Sequence, residues 1–532
     1  MKKVLNLIHE LILSFVFAII TVVGNSYKQG NSSKLIFSNA GKTLMLLIFY
    51  MIIFLILIII LERVMVLSQK NHSSSFFYKI FDKHPMLFSF IIIMACWLPY
   101  IIIKYPGTPG WDFYYYINNY YHFDKTLTQH FPLCYVFLCV YFIKFGLFIG
   151  VPNIGLFLLT LFHTVMMCIS FSLVFYYLKK WNVNYKLRLF LLIFYAIMPL
   201  FPNYATTIYH DTVYSSLILI YVLLLTDLVL NKNLNIKKYI IISIISFCLC
   251  LSRKNGIYIV LPTTLVICFK YLYKNKKILK IIILVIPIVL FFISEALFSL
   301  KYYKTSYLEA MAIPIQSISR YSKYYHDDIT EEEKQKINGV LNYDFSQYIY
   351  EPNIVDKNRN NSGNYEASPK QIYEFFITWG KLFFRHPVIY IEAVINTNYP
   401  LYYPFINATY TFFEVKEDKN YSTYVNFSKP NFLEEKKDKL KQFNDTLEKI
   451  PLIQYINDPG IYSWFLFFMI MMLIKNKKRY LLPLLPLIAT FVCCINAPTI
   501  LYNTRYVFPI IFSIFPLLLF YFAKIFTNDE NE

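Results

Sequence analysis

Residues 43–61 read TLMLLIFYMIIFLILIIIL, an unbroken apolar run without a single charge. As a helix rising ~1.5 Å per residue the run covers ~28 Å, close to the ~30 Å hydrocarbon thickness of a bilayer. Comparable runs lie near residues 4–23, 86–103, 132–149, 153–178, 187–201, 212–230, 239–252, 256–273, 279–300, 460–474, 480–496 and 503–523. The pattern predicts a polytopic, all-α membrane protein. Composition agrees: 57% of the 532 residues are hydrophobic, 16% are charged, and mean hydropathy is +0.46, a balance that excludes a soluble globular domain. The 50 Phe, 48 Tyr and 5 Trp fit aromatic belts at membrane interfaces. Nine Cys, all in apolar stretches and with no C-x-x-C spacing, read as packing residues, not as disulfides or a zinc site.

The net charge of +19 is distributed unevenly. Residues 301–459 hold 19 basic and 21 acidic side chains, while the rest of the chain holds 32 and 11. The excess sits in short loops between apolar runs, which is the signature of cytoplasmic loops and argues against a nucleic-acid partner. The start, Met1-Lys2-Lys3 before an apolar run broken by His9 and Glu10, reads as an uncleaved first helix. Basic clusters at Lys2-Lys3, Arg63 to Lys83, Lys179 to Arg188, Lys232 to Lys238, Lys270 to Lys280 and Lys475 to Arg479 then impose a parity test. If all thirteen runs crossed, the Lys179 to Arg188 cluster would face outward. The run 132–149, with Lys144, Gly146 and Gly150, is therefore expected to lie along or dip into the outer surface, leaving twelve spans, both termini cytoplasmic and residues 301–459 outside.

Three parts follow: an N-terminal transmembrane domain at 1–300 with a first external loop at 104–131, an external region at 301–459, and C-terminal transmembrane helices at 460–532. The external region is expected to be mainly helical, with helices over Thr330 to Leu341 and Pro369 to Phe384.

Ionisable residues on the outer side are few and costly without a purpose. The loop Tyr105-Pro-Gly-Thr-Pro-Gly-Trp111-Asp112 presents Asp112 at the membrane face, as a general base or as a helix N-cap, and ends at Gln129-His130. Asp124 falls in the same loop. Tyr209-His210-Asp211-Thr212 opens a later helix, where Asp211 suits either a cap or a site shared with Asp112. Ser252-Arg253-Lys254-Asn255-Gly256 joins two apolar runs, and its adjacent cations favour an anionic phosphate group. Asn503-Thr504-Arg505-Tyr506 opens the last helix and adds a second cation of that kind, or one that snorkels to the interface.

An acid in the first large external loop, the helix start His130-Phe131-Pro132-Leu133, a second acid at Asp211, and Arg505-Tyr506-Val507-Phe508-Pro509 together resemble the GT-C superfamily of polytopic glycosyltransferases. His210-Asp211-Thr212, Arg253-Lys254-Asn255-Gly256 and Ile313-Pro314-Ile315-Gln316-Ser317-Ile318-Ser319-Arg320 also look like an uncharacterised bacterial membrane-protein family near it. The similarity covers roughly residues 86–520. It implies transfer of a sugar from a polyprenyl-phosphate carrier to a glycan or lipid acceptor at the outer face of a bacterial cytoplasmic membrane, with inversion at the anomeric carbon. Asp112 would then be the base; Asp211 with His130 or His210 would orient the acceptor; Arg253, Lys254 and Arg505 would hold the leaving phosphate. Trp111, Asn255, Gln316 and Arg320 would contact substrate. Asp112 lacks the paired acid of many relatives, so no cofactor is expected and a divalent metal is not favoured. Two rivals remain: a polysaccharide polymerase or ligase relying on Arg320, Arg359 or Arg385, and a lipid-linked-sugar transporter, for which intramembrane acids are limited to Glu10 and Glu295.

Overall fold

The computed structural model describes residues 2–67, 76–122, 127–231, 235–272, 277–408, 425, 427–428, 430–451, 453–476, 478–501 and 504–525. Among them, regular structure is helical except for two strands of two residues each. Seven helices are long and apolar enough to cross a membrane: Leu7–Gly30, Ala40–Val64, Pro85–Ile103, Pro152–Lys180, His210–Leu230, Ile278–Ser299 and Thr504–Lys524. Shorter apolar helices include Leu133–Phe148, Gly256–Lys270, Pro459–Lys475 and Tyr480–Ile495. The chain is an all-helical membrane protein, since a helix satisfies its own backbone polar groups in hydrocarbon.

These helices differ in what surrounds them. Ala40–Val64, which contains the run 43–61, exposes Leu44, Met45, Ile48, Phe49, Ile52, Ile56, Leu57 and Ile60, as expected of a helix wrapped in lipid. His210–Leu230 is the opposite case, buried almost throughout and packed on Pro152–Lys180, Ile236–Ser252 and the last helix. The apolar runs near 187–201 and 239–252 form Tyr185–Ile197 and Ile236–Ser252; the first stops at Met198, whose ψ of 122° is the extended backbone favoured before Pro199. All nine cysteines are free.

The run 132–149, expected to lie along or dip into the outer surface without crossing, forms one short helix packed on its longer neighbour. Leu133–Phe148 turns back at Gly150, which has φ +77°, and pairs antiparallel with the first half of Pro152–Lys180. Glycine makes that approach close: a Cβ on Gly155 would stand 2.3 Å from the Phe142 carbonyl oxygen, and one on Gly146 2.7 Å from Gly155 N. Such backbone contact lets a short helix lie lengthwise on a long one.

Region 301–459, the one expected to be external, has its own apolar core, with Leu308, Ile315, Ile318, Tyr321, Ile337, Leu341, Phe375 and Leu382 buried together. The two helices expected there appear as Glu331–Asn338 and Pro369–Arg385, each opened by a capping box, Thr330 with Glu333 and Ser368 with Gln371. The next helix, Pro387–Tyr402, leaves that core and buries Asn396 to Leu401 against Leu7–Gly30 and Pro459–Lys475.

Gly155→Val puts side-chain atoms where the Phe142 carbonyl stands, so it should lower the apparent melting temperature in detergent, consistent with an overpacking cost of about 1–3 kcal/mol. Gly150→Asn, at a left-handed turn with open space around it, adds backbone strain but no clash and should lower that temperature less; equal effects would refute this account of the hairpin.

Candidate functional site

Two short segments carry the acids, and the backbone aligns them. Thr108–Pro109 pairs in parallel with Thr207–Ile208, in the register Thr108↔Thr207 and Pro109↔Ile208. Each strand runs within two residues into a helix, Trp111–His122 or His210–Leu230, and in each helix the second residue is the aspartate. Asp112 and Asp211 thus lie the same number of residues beyond the paired threonines, side by side. Gly110 allows this fit, because a Cβ there would lie 2.3 Å from the Tyr209 ring. Neither acid is the helix cap weighed in the sequence: Tyr209 caps His210–Leu230, and both carboxylates turn to cations instead.

Those cations arrive from two further places. Ile236–Ser252 ends at Arg253, whose extended backbone starts a tight reversal into Gly256–Ile267; a Cβ on Gly256 would meet the Leu249 carbonyl oxygen at 2.5 Å. Arg505 sits in the 3-10 turn Thr504–Val507 ahead of the last helix. Arg253 forms an ion pair with Asp211 Oδ1. Arg505 Nη1 lies 2.6 Å from Asp112 Oδ2 and 3.5 Å from Asp211 Oδ2, so one guanidinium bridges both acids. Aromatic faces close the cluster, Tyr209 at 4.4 Å from the Arg505 guanidinium and Tyr506 at 5.1 Å from that of Arg253.

Two anions and two cations make the group neutral overall. Asp211 has no exposure, whereas the Asp112 and Arg253 side chains keep 18% each and Arg505 13%, so the group is reached past those three and not at Asp211. Burial pushes the Asp112 carboxyl up, but Arg505 and His210 together outweigh it and hold the acid below its ordinary value. Arg505 Nε and Asp211 Oδ2 are buried without a hydrogen bond, which leaves capacity for a further polar ligand.

His210 belongs to this group. Its Nε2 is 3.6 Å from Asp211 Oδ1, and its Nδ1 is 2.9 Å from the Tyr116 hydroxyl. The imidazole is thus held between the Tyr116 hydroxyl at one ring nitrogen and the acid at the other. Behind them Tyr135 OH bonds His163 Nε2 at 2.9 Å.

Other residues singled out in the sequence go elsewhere. Lys254 pairs with Glu295 at 2.7 Å, not with the cluster, and His130 lies 3.8 Å from Glu309. Asn255 serves as the backbone N-cap of Gly256–Ile267. Gln316 donates to the carbonyls of Glu351 and Pro352, and Arg320 is committed to Glu392, Tyr350 and the Asn31 carbonyl, so both brace the external region. Trp111 opens its helix, while its side chain, like Asp124 and Asn503, lies outside the described residues. Sequence reasoning missed Tyr116, Tyr209 and His163. A signal was present: Thr-x-x-x-Asp recurs at 108–112 and 207–211, the two segments that pair.

The profile of a family of unknown function, DUF6020, matches residues 124–532, and the chain belongs to that family. The match includes Asp211, Arg253 and Arg505, while Asp112 lies ahead of it. No curated protein and no solved structure matches the chain.

Arg505→Met leaves the cluster with an uncompensated negative charge and should destabilise the protein by about 3–5 kcal/mol. Adding Asp112→Asn restores neutrality and should recover most of the lost thermal stability in lipid nanodiscs; additive losses would show the two residues uncoupled. The Asp112 carboxyl is held down, so its contribution is complete above the unfolded value of ~3.9 and is lost as pH falls through the lower folded value. The coupling should therefore stay constant between about pH 5 and pH 8.

Proposed function

We propose, for this member of a family without an assigned activity, that the chain is a membrane glycosyltransferase of the GT-C type, moving a sugar from a polyprenyl-phosphate donor to a cell-envelope glycan or lipid acceptor. The observation that carries the reading is the single guanidinium of Arg505 held between Asp112 and Asp211, with Arg253 on the far carboxylate oxygen. A transferase of this kind needs a base for the acceptor hydroxyl and cations for the departing phosphate, and here they share one group.

In the proposed reaction, the donor phosphate engages Arg505 and Arg253 and draws Arg505 away from Asp112. Asp112 takes the acceptor hydroxyl proton while that oxygen bonds to the anomeric carbon. The bond from that carbon to the phosphate oxygen breaks, its electron pair leaves on the polyprenyl phosphate, and the configuration inverts. His210, fixed by Tyr116, keeps Asp211 oriented beneath the acceptor. We keep the chemistry independent of metal because each carboxylate already faces a guanidinium that a divalent cation would have to displace.

The finer topology is part of the proposal. The seven long helices and five shorter ones, Tyr185–Ile197, Ile236–Ser252, Gly256–Lys270, Pro459–Lys475 and Tyr480–Ile495, make twelve crossings, with Leu133–Phe148 as the additional helix. Lys180 and Lys238 pair with Asp227 at the opposite end of the helix that Asp211 begins. That basic end is assigned to the cytoplasm of a bacterial cell, with both termini, and the Asp112 end to the outer face. The rivals gain no support: Arg320, Arg359 and Arg385 are each engaged by carboxylates, and Glu10 and Glu295 are paired with Lys475 and Lys254.

Cells carrying Asp112→Asn at wild-type membrane levels should lose one surface-glycan decoration and accumulate its polyprenyl-phosphate sugar, read by mass spectrometry of extracted lipids. A full deletion that changes the glycans while Asp112→Asn leaves them intact would remove Asp112 from the chemistry; no change in either would overturn the transferase reading.

A further inference from the structure

The helix Pro369–Arg385 buries one face, with Phe375, Thr378 and Leu382, in the external core. Its opposite face carries Tyr373, Phe376, Ile377 and Phe384, the last 83% exposed. These positions, with Gly380 between them, recur at three- and four-residue spacing and share one side of the helix. A Cβ on Gly380 would meet nothing within 4 Å, so none of the described residues covers the middle of this stripe. Exposed Lys370 and Lys381 stand along one edge, about three turns apart, with Glu374 between them 3.9 Å from Lys370, which leaves the edge with a net positive charge.

The stripe does not end with its helix. Past His386 the chain continues into Pro387–Tyr402, where Val388 and Ile391 are exposed in turn. The following residue, Glu392, accepts from Ser33 N at 2.8 Å and Ser33 Oγ at 2.7 Å, and Asn396 Nδ2 donates to the Asn31 carbonyl at 2.9 Å. Asn31 and Ser33 lie in the turn between the membrane helices Leu7–Gly30 and Ala40–Val64. Beyond that turn come Leu35, Phe37, Leu44 and Met45, all exposed, the last two at the start of the lipid-wrapped helix. The apolar face of the external region is thus joined, through a hydrogen-bonded turn, to the lipid-facing surface of the N-terminal helix pair.

We propose that Pro369–Arg385 is an interfacial helix that docks on the lipid surface itself, with Tyr373, Phe376, Ile377 and Phe384 in the headgroup layer and anionic headgroups beside Lys370 and Lys381. An amphipathic helix with aromatic and aliphatic residues on one side and lysines at the margin has the composition for this position. Charge argues for anionic lipid, because each lysine near such a surface gains attraction that a neutral partner does not supply. The docking would fix the external region relative to the bilayer, independently of any reaction carried out beneath it.

The test uses the full chain in nanodiscs of phosphatidylethanolamine and radiolabelled phosphatidylglycerol. The photocrosslinker p-benzoylphenylalanine is placed singly at Phe376, Phe384, Met45 or Tyr348; Met45 is exposed on the lipid-wrapped helix and Tyr348 is an exposed ring on a different helix, Tyr343–Ile349. Phe376 and Phe384 should take up labelled lipid as Met45 does, and Tyr348 should not. Lys370→Glu combined with Lys381→Glu should lower the phosphatidylglycerol label at Phe384 by roughly tenfold. Label at Met45 with none at Phe376 and Phe384 would overturn the proposal, and so would crosslinking of Phe384 to a second copy of the chain.

Discussion

A carboxylate with no access to water must find cations, and Asp211 finds two. An ionised acid left alone in such a place would cost far more than a typical protein's net stability. Satisfying it draws together distant parts of the chain: Arg253 lies 42 residues away, and Arg505, which also pairs with Asp112 across 393 residues, ties the last helix to the first external loop. Asp227, at the far end of the same helix, is likewise buried and held by Lys180 and Lys238. The central helix is thus pinned at both ends by ion pairs. Apolar contact alone would leave it free to slide among similar neighbours.

Much of this arrangement was legible in the chain. Nineteen uncharged positions at 43–61, all but Thr43 apolar, have a length that only a bilayer explains, and charges scarce in the apolar runs draw attention wherever they occur. Asp112, Asp211, Arg253 and Arg505 stood out on that ground, and the fold brings them together. What a sequence does not reveal is which neighbour an ionisable side chain prefers when several are within reach. Lys254 adjoins Arg253 in sequence, yet as the reversal leaves the helix it reaches Glu295 on a different helix. Gln316 and Arg320 read as substrate contacts only through the resemblance, on the phrase Ile313 to Arg320. In the fold both are buried, Gln316 bonding the Glu351 and Pro352 carbonyls and Arg320 reaching Tyr350 and, outside the external region, the Asn31 carbonyl.

The alignment of the two acids was harder to see, because two strands of two residues leave almost no period to detect. The hairpin of Leu133–Phe148 with Pro152–Lys180 was also hidden from hydropathy, because Gly146 and Gly155 allow backbone contact through their small size and not through mean apolarity. The external region is tied down in a similarly local way, through Glu392 and Asn396 on the turn at Asn31 and Ser33.

The central claim is that Arg505 is shared, held by Asp112 at rest and surrendered to a phosphate when one arrives. Binding of a short polyprenyl monophosphate to the purified protein in nanodiscs, measured by calorimetry for wild type, Asp112→Asn and Arg505→Met, tests it directly. The account predicts effects of opposite sign: tighter binding in Asp112→Asn, where the competing carboxylate is gone, and weaker binding in Arg505→Met. Equal affinity in all three, or weaker binding in Asp112→Asn, would contradict it.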